Sequence, residues 1–177
     1  MKKFELTTNT KMHFGKKLFQ IKALINFGDV EAGELGGYIE KEENLSQAGD
    51  AWVTGNARVT GNARVTGNAR VTDNAWVTGN AWVTGNARVT GNARVTDNAR
   101  VTDNACYTTI KGFGREYRTT TFFRCKDGKV RVQCGCFYGD LKEFRATVKK
   151  THGESKKAKE YLMIADLMEL HFRSEEK

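Results

Sequence analysis

A six-residue phrase repeats without interruption from Ala51 to Thr108, and its period constrains the fold more than any other feature of the chain. An α-helix turns every 3.6 residues, so a strict period of six would spread the valines around every side of it. Within each unit, alanine and valine alternate with arginine or tryptophan and threonine, as in a strand, and a Gly-Asn or Asp-Asn pair then suits a corner. Short strands joined by corners at a hexapeptide period predict a parallel β-helix. The units read AWVTGN, ARVTGN, ARVTGN, ARVTDN, AWVTGN, AWVTGN, ARVTGN, ARVTDN, ARVTDN and ACYT.

In almost every unit the valine follows a small alanine by two positions, and before the repeats Ile39 and Leu45 keep the same six-residue spacing. This pattern resembles the hexapeptide repeat of the left-handed β-helix. The resemblance implies a triangular prism with three hexads, or about eighteen residues, in each coil. The left-handed turn is implied by the resemblance only. Neighbouring coils should lie about 4.7–4.9 Å apart, so residues one coil apart in sequence should stack in columns.

The irregular sequence before the repeats predicts a cap. An open end of a β-helix exposes unpaired strand edges and bare core, so a solenoid needs an atypical terminal segment. Residues 14–24 alternate as a strand with Phe19, Ile21 and Ala23 on one face, and residues 27–29 suit a turn. We therefore predict that residues 1–50 form an N-terminal cap and an irregular first coil.

Beyond the repeats, the sequence predicts a small domain of two strands followed by two helices. Asp127 and Gly128 lie between two alternating runs and suit a β-hairpin. Asp140 can cap a short helix that Gly153 ends, and Ser155 can cap the longer helix that follows. The second helix has a wide apolar face, which predicts burial on two sides and association between subunits. The apolar positions of this helix are Ala158, Tyr161, Leu162, Ile164, Ala165, Leu167, Met168, His171 and Phe172.

These segments together predict a mainly β chain. It should contain a cap over residues 1–50, a left-handed parallel β-helix over residues 51–108, and a C-terminal α+β (ββαα) domain over residues 109–177 that oligomerises. The N-terminus lacks an apolar run long enough for a signal peptide, and no stretch could span a membrane. We therefore expect a cytoplasmic protein with reduced cysteine thiols and no membrane partner.

The net charge of +8 is unevenly distributed along the chain. Residues 1–48 balance seven basic against seven acidic side chains, whereas residues 49–108 carry six arginines against four aspartates. Residues 109–177 carry sixteen basic against ten acidic side chains. This excess in the prism and the tail favours an anionic partner, such as a nucleotide or a nucleic acid.

The arginine and tryptophan of each hexad should point outward in three stacked columns. Stacked arginines repel one another unless a negative group lies nearby, and tryptophan offers a surface for base stacking. One interpretation is therefore a surface for phosphates and bases; the other is a cation–π ladder within the protein. The first column holds Trp52, Arg70, Arg88 and Cys106, the second holds Arg58, Trp76 and Arg94, and the third holds Arg64, Trp82 and Arg100.

The segment after the repeats offers a second candidate anion site. Gly112 and Gly114 would let backbone N–H groups approach an anion, and guanidinium groups grip phosphate oxygens. The segment matches neither a P-loop nor a dinucleotide fingerprint, and the alternative is a linker followed by an exposed strand face. The candidate ligand-binding residues are Lys111, Arg115, Arg118, Thr119, Thr120 and Arg124, with Tyr138 and His152 from the following turns.

The cysteines after the repeats raise the question of a metal site. Cys125, Cys134, Cys136 and His152 supply the ligand types of a zinc site, but the C-x₂₋₄-C knuckle is missing. A C-x-C pair in an alternating strand places both thiols on the core face. We therefore expect buried free cysteines, no metal and no cofactor.

Two stretches that flank the hexads, LGGYIEKEENLSQ and FFRCKDGKVRVQCGCFYGDLKEFRATVKKTHG, together resemble hexapeptide-repeat proteins of bacteriophages and gut bacteria. The repeats alone are also similar, more distantly, to hexapeptide acyltransferases. That resemblance implies trimers whose active sites lie between subunits and use a histidine base. Here His13, His152 and His171 all lie outside the repeats, and no looped-out insertion interrupts them. We therefore expect no enzymatic activity.

The resulting functional hypothesis is a trimeric, non-enzymatic accessory binding protein of phage type. It would act in the host cytoplasm, either sequestering a nucleotide signal of bacterial immunity or binding a host defence protein. The first alternative is a structural or assembly module with a rigid β-helix and a trimerising tail. The second alternative is an acyltransferase.

Overall fold

The computed structural model describes residues 1–114 and 116–173. The chain divides into two compact units, Met1–Asn104 and Ala105–Lys177. The first unit contains a parallel β-helix of about four stacked turns, and the second contains a β-sheet with two helices. This architecture confirms the predicted mainly β chain with a β-helix and a small α+β domain. Within the described residues, no helix is long and apolar enough to cross a membrane.

The hexads form two-residue strands that stack in the predicted register. Each strand pairs in parallel with the strand eighteen residues further on, so Val53 lies over Val71 and Val71 over Val89. The valines and alanines of these hexads are at most 1% exposed, so the core is a column of small and branched side chains. The strands are β4 (Trp52–Val53), β5 (Arg58–Val59), β6 (Arg64–Val65), β7 (Arg70–Val71), β8 (Trp76–Val77), β9 (Trp82–Val83), β10 (Arg88–Val89), β11 (Arg94–Val95) and β12 (Arg100–Val101).

Corners between the strands depend on the Gly/Asp-Asn pair. Asp73 replaces the corner glycine and keeps its left-handed backbone at φ 61°, a conformation that aspartate tolerates better than most residues. Side-chain ladders then join successive coils: Asn62 Nδ2 donates to Asn80 Oδ1 at 3.2 Å, and Thr60 Oγ1 donates to Thr78 Oγ1 at 2.8 Å. The polar side chains at and beside the corners therefore find hydrogen-bond partners at the same position of the next coil.

The N-terminal cap is an antiparallel meander of β1 (Phe4–His13), β2 (Lys16–Ala23) and β3 (Leu35–Ile39). It extends one face of the solenoid into a six-stranded sheet of order β1-β2-β3-β5-β8-β11. Ile39 pairs with Val59, and Leu45 bridges to Val65, so both residues belong to core columns. The sequence reading missed β1, whose polar composition gave little strand signal.

Two local predictions in the cap had different outcomes. The turn at residues 27–29 is confirmed by the bridge between Phe27 and Val30. The prediction that Phe19 shares one face with Ile21 and Ala23 was wrong, because Ile21 and Ala23 are buried with Leu18 whereas Phe19 is only half-buried. The pairing of β2 with β3 shifts register between Gln20 and Lys22, and this irregularity breaks the alternation of the strand faces.

The second unit contains an antiparallel sheet of β13 (Tyr107–Ile110), β14 (Thr120–Arg124), β15 (Val130–Cys134) and β16 (Phe137–Asp140). The predicted hairpin joins β14 and β15, and the strands on either side of them were not predicted. Tyr107, assigned from the period to a tenth hexad, lies instead in β13 opposite Phe123. The hexad pattern ends at this point, so the chain no longer follows the coil, and an aromatic side chain suits a cross-strand pair with Phe123.

Both predicted helices are present, α1 (Leu141–His152) and α2 (Lys156–His171). Asp140 and Glu143 form a reciprocal capping box at the start of α1, and Gly153 ends it at φ 55°. Ser155 Oγ accepts from Ala158 N at the start of α2. The two helices pack on one face of the sheet. Their common core contains Phe122, Val132, Phe144, Val148, Ala158, Tyr161, Ile164, Ala165, Met168 and Phe172.

Candidate functional site: a cleft beside Arg70 and Arg88

The predicted columns are present, with two exceptions in the first column: Cys106 is not part of it, and Trp52 belongs to it but is buried. Trp52, Arg70 and Arg88 stack in that column, but Cys106 lies in a short 3₁₀ turn beyond it. The second column is Tyr38, Arg58, Trp76 and Arg94, and the third is Arg64, Trp82 and Arg100.

In the second and third columns the tryptophans are held by their own coil neighbours. Trp82 Nε1 donates to Thr66 Oγ1 at 2.8 Å, and the Arg100 guanidinium lies over its ring at 4.5 Å from the centroid. Trp76 repeats this arrangement with Thr60 and Arg94. These tryptophans and arginines therefore form the cation–π ladder, and their rings are already occupied on one side.

The tip of the β1–β2 hairpin covers the second column further. Phe14 stacks on Trp76 with 5.4 Å between ring centroids, and His13 contacts the same indole edge-on at 4.9 Å. Arg58 Nη1 lies 3.0 Å from His13 Nδ1. Burial first, and then the charges of Arg58, Lys11 and Arg94, lower the pKa of His13. The aromatic surface of this column is thus closed by the cap.

Trp52 differs from the other two tryptophans. It is 1% exposed because Phe4 and Phe27 of the cap pack edge-on against it, at 6.5 and 5.3 Å between centroids. Trp76 and Trp82 each donate a hydrogen bond to a threonine sixteen residues earlier. Trp52 Nε1, in contrast, is buried without a hydrogen-bond partner among the described residues. The interpretation of Trp52 as an outward stacking surface was wrong.

A cleft of about 630 Å³ lies beside this first column. Arg70 and Arg88 belong to adjacent coils in it, so their backbones are about 4.8 Å apart. Carboxylates from the cap border the same cleft, and Asp29 forms an ion pair with Arg70. Hydroxyl and amide side chains of the coils also line the cleft: Thr54, Thr72, Thr90, Asn68 and Asn86. The other lining residues are Val30, Glu34, Asp50 and Trp52.

The electrostatics of the cleft combine crowded cations with an exposed counterion. Burial first, and then the charge of Arg88, lower the pKa of Arg70 despite its ion pair with Asp29. The Asp29 side chain is 82% exposed, so solvent weakens its attraction for the guanidinium. Two guanidinium groups and three carboxylates, those of Asp29, Glu34 and Asp50, therefore line the cleft, and an anion that displaced Asp29 would take its place as the counterion of Arg70.

A buried lysine lies behind the cleft. Lys3 is 2% exposed, and its Nζ donates to the carbonyls of Gly49 at 3.1 Å and Ala51 at 2.9 Å. Burial lowers the pKa of Lys3 to about 8, Asp50 opposes the shift, and Arg70 adds to it. This ammonium ties the first strand of the cap to the corner that precedes Trp52.

The remaining arginine of the third column lies elsewhere. Arg64 borders a separate open depression of about 540 Å³ together with Glu42 and Glu43. These two glutamates lie in a short 3₁₀ turn, and the Glu42 carboxylate accepts from Lys2 and Gln47. The depression is thus a mixed-charge surface without stacked cations.

The candidate residues of the second unit lie on different sides of the sheet. Thr120 and Arg124 lie on the face of Phe122, where Thr120 donates to Cys134 Sγ at 3.1 Å and Arg124 Nη2 donates to the Phe172 carbonyl at 2.6 Å. Tyr138 stacks instead on Phe123, whose strand position places it on the opposite face. Both Thr120 and Arg124 are thus used within the fold.

The other candidates are more dispersed. His152 stacks on Tyr161 at 6.0 Å between centroids, and the Tyr161 hydroxyl donates to the Phe113 carbonyl at 3.3 Å. Lys111 and Arg118 are exposed, and Thr119 is half-buried. Arg115 lies outside the described residues. No single described surface gathers this set, so the segment offers several cations but no common concave site.

The cysteines have three different environments. Cys125 is buried and Cys134 is half-buried, but Cys136 is exposed, so the expectation that it lies on the core face was wrong. Gly135 turns the chain between β15 and β16, and this turn removes Cys136 from the alternation of the strand. Across residues 1–114 and 116–173, no group of three or more His, Cys, Asp or Glu side chains is arranged to hold a metal ion.

No protein-family model matches the chain, and no curated protein has a detectably similar sequence. The protein is a β-solenoid with a mixed-charge cleft that its N-terminal cap borders. The sequence reading identified Arg70 and Arg88 as surface cations but missed the carboxylates opposite them. The turn at residues 27–29 was recognised, yet nothing local indicates that it carries Asp29 to a residue forty-one positions away.

Proposed function

We propose that this protein is a non-enzymatic binding protein whose cleft on the first column takes a small phosphate-bearing ligand of the nucleotide class. The observation that carries the proposal is the pair of guanidinium groups, Arg70 and Arg88, stacked on adjacent coils at one concave surface. Guanidinium forks bind phosphate oxygens through paired charge-assisted hydrogen bonds, and two forks one coil apart suit a diphosphate or a phosphodiester ring.

The rest of the lining supports a nucleotide rather than inorganic phosphate. Asp50 and Glu34 border the cleft with the arginines, and carboxylates accept hydrogen bonds from sugar hydroxyls. The threonine and asparagine rows supply further neutral donors and acceptors. A ligand with a phosphate at one end and hydroxyl groups at the other would match both kinds of border.

The biological role we propose is that of a phage-type accessory protein in the host cytoplasm, which sequesters a nucleotide signal of bacterial immunity. This role rests on the resemblance of the flanking segments to phage hexapeptide-repeat proteins and on the chemistry of the cleft. The resemblance to the acyltransferases implies a trimer; association between subunits remains a prediction, as does binding to a host defence protein.

The test begins with native mass spectrometry of the protein purified from bacteria, followed by calorimetric titration with cyclic dinucleotides and cyclic trinucleotides. We expect Arg88→Ala to weaken binding roughly 10- to 100-fold, since a charge-assisted hydrogen bond contributes about 1.5–3 kcal/mol. Asp29→Asn should strengthen binding, because it removes the carboxylate that competes for Arg70.

Arg100→Ala is the matched control, because Arg100 has the same hexad position but lies over Trp82 in the third column. It should lower the melting temperature and leave the affinity unchanged. Absence of heat and of thermal shift with every cyclic nucleotide, or equal losses for Arg88→Ala and Arg100→Ala, would contradict the proposal.

A structural or assembly module is the second candidate. The observation that favours it is the Trp–Thr and Trp–Arg ladder of the second and third columns, which uses potential contact residues to join coils. A protein that carries no ligand from the cell and binds no cyclic nucleotide would support this candidate. Binding of acyl-coenzyme A would instead support the acyltransferase alternative.

A further inference from the structure

The helix α2 carries an apolar stripe that its own unit leaves open. Met163, Leu167 and Leu170 are 72%, 54% and 64% exposed. With 3.6 residues per turn, they fall within about 60° of one another and span about 10 Å of helix. The opposite side of α2 is buried in the core of the unit through Ala158, Tyr161, Ala165 and Met168. The helix is therefore apolar on two sides, which is typical of a helix with a second packing partner.

The charges beside the stripe are polarised along the helix. Three exposed lysines, Lys156, Lys157 and Lys159, lie in its first half against the single carboxylate of Glu160. The second half carries Asp166 and Glu169, which share one guanidinium, Arg145, at 2.8 and 2.6 Å. Two carboxylates on one cation leave this half negative.

We infer that the exposed stripe of α2 is a self-association surface, on which a second copy of this chain packs its own α2 in the antiparallel direction across a two-fold axis. Antiparallel packing brings the basic half of each helix against the acidic half of the other. Parallel packing, as around a three-fold axis, would place lysines against lysines and carboxylates against carboxylates. The occupant favoured by this charge pattern is therefore another copy of the same helix.

One register satisfies the charges and the stripe together. If the two-fold axis passes between Leu162 and Met163, Lys159 of each copy lies opposite Asp166 of the other. On the helical wheel these two residues are about 20° apart on the same flank of the stripe, as same-flank pairs in antiparallel helices require. Met163 then meets its symmetry mate, and Leu167 packs against the aliphatic stem of a lysine from the second copy.

Sedimentation velocity of the full chain over a wide concentration range, at low and high salt, tests this surface. We expect a reversible dimer that weakens with salt, because the flanking ion pairs are exposed. Leu167→Glu should abolish it. Leu35→Glu is the matched control, because Leu35 is equally exposed, at 54%, but lies in the cap.

A charge exchange separates the proposal from simple damage to the fold. Lys159→Glu and Asp166→Lys should each weaken self-association at least about tenfold, because each variant opposes like charges twice in the two-fold pair. Mixing the two variants should restore a heterodimer of nearly wild-type affinity, since each copy then faces an opposite charge at both positions.

Several results would overturn the inference. They are a monomer at every concentration, a trimer, failure of the mixed variants to associate more tightly than either variant alone, and equal loss from Leu35→Glu and Leu167→Glu. Unchanged melting curves for the charge variants would show that they remain folded, so a negative mixing result would count fully against the surface.

Discussion

At the scale of single residues, nearly identical side chains differ in whether the fold gives them a hydrogen-bond partner. Trp76 and Trp82 each donate a hydrogen bond to a threonine one coil away, whereas Trp52 Nε1 has no hydrogen-bond partner among the described residues. Gly36 cannot carry a side chain, since a Cβ there would lie 2.5 Å from Ile21 Cγ1 and 2.6 Å from the Val53 carbonyl oxygen. The cap thus packs closely against the first coil at Gly36, and its aromatic residues bury the ring of Trp52.

Lys3 provides a prediction at this scale. Its pKa in the folded protein is about 8, whereas an unfolded lysine titrates near 10.4. Between these values the unfolded chain binds the extra proton, so the free energy of unfolding should rise as the pH increases from about 8 to 10, by an amount on the order of 3 kcal/mol. Denaturant unfolding of the first unit at several pH values measures this slope.

Lys3→Met should flatten that slope, and Lys2→Met should keep it, because Lys2 is exposed and pairs with Glu42 at the surface. An equal slope in the wild type and in Lys3→Met would show that another group is responsible. Measurements should stop near pH 10, since burial raises the pKa of Tyr161 in the second unit to about 12 and its ionisation would then lower stability.

At the scale of elements, the β1–β2 hairpin acts as a clasp on one column of the solenoid. Phe14 at its tip has a left-handed backbone, φ 47°, followed by Gly15 at φ 75°, and this tight turn places two aromatic rings on Trp76. Cations face His13 from three elements: Lys11 on its own strand, Arg58 on β5 and Arg94 on β11. Neutral His13 is tolerated there, but a protonated ring would be repelled.

We therefore predict that acidification loosens the clasp. Because the pKa of His13 in the folded protein lies below its ordinary value, the contact is fully stable above that ordinary value and is lost as the pH falls through the folded pKa. The indole N–H resonance of Trp76 should shift with a midpoint below about 6.5, the unperturbed histidine value.

His13→Gln should abolish this titration while keeping the hairpin in place. Trp82 is an internal control, because its contacts are Thr66 and Arg100 and include no histidine. A midpoint at or above the ordinary histidine pKa, or a matching shift of the Trp82 resonance, would contradict the predicted clasp.

At the scale of the whole molecule, the solenoid is stabilised by repetition, and each coil contributes nearly the same contacts. Backbone bonds run from each coil to the next at constant geometry, for example Trp52 N to the Ala69 carbonyl at 3.0 Å and Arg58 N to the Ala75 carbonyl at 2.9 Å. Stability in such an array is approximately a sum of repeat and interface contributions. Only the cap and the segment after residue 101 interrupt the pattern.

The effect of a deletion on stability should therefore depend on whether its length is a whole number of hexads. Removing residues 91–96, one hexad, keeps every later valine in a core column and should lower the melting temperature only moderately. Removing residues 91–93 shifts the later sequence by half a hexad, so that valines fall at the exposed corner positions and Thr96 and Asn98 take the core positions of Ala93 and Val95. Burying these polar side chains without hydrogen-bond partners should unfold the end of the solenoid. Thermal melts followed by circular dichroism measure both, and similar losses for the two deletions would contradict the columnar core.

The sequence alone determined the features that depend on local pattern. The hexad period predicted the β-helix and its columns, because one strand and one corner in every six residues leave a single regular way to bury the valines. Asp140, Gly153 and Ser155 predicted the helix ends, because capping acts within one turn of the chain.

The tertiary structure alone decided which of nearly identical hexads face solvent, cap or cleft. Phe4 and Phe27 bury Trp52 from positions forty-eight and twenty-five residues earlier, and Asp29 reaches Arg70 across the cleft. Locally, AWVTGN reads the same at residue 52 as at residue 76, so its sequence carries no information about what covers it. Burial and charge at those positions depend on contacts that only the folded chain brings together.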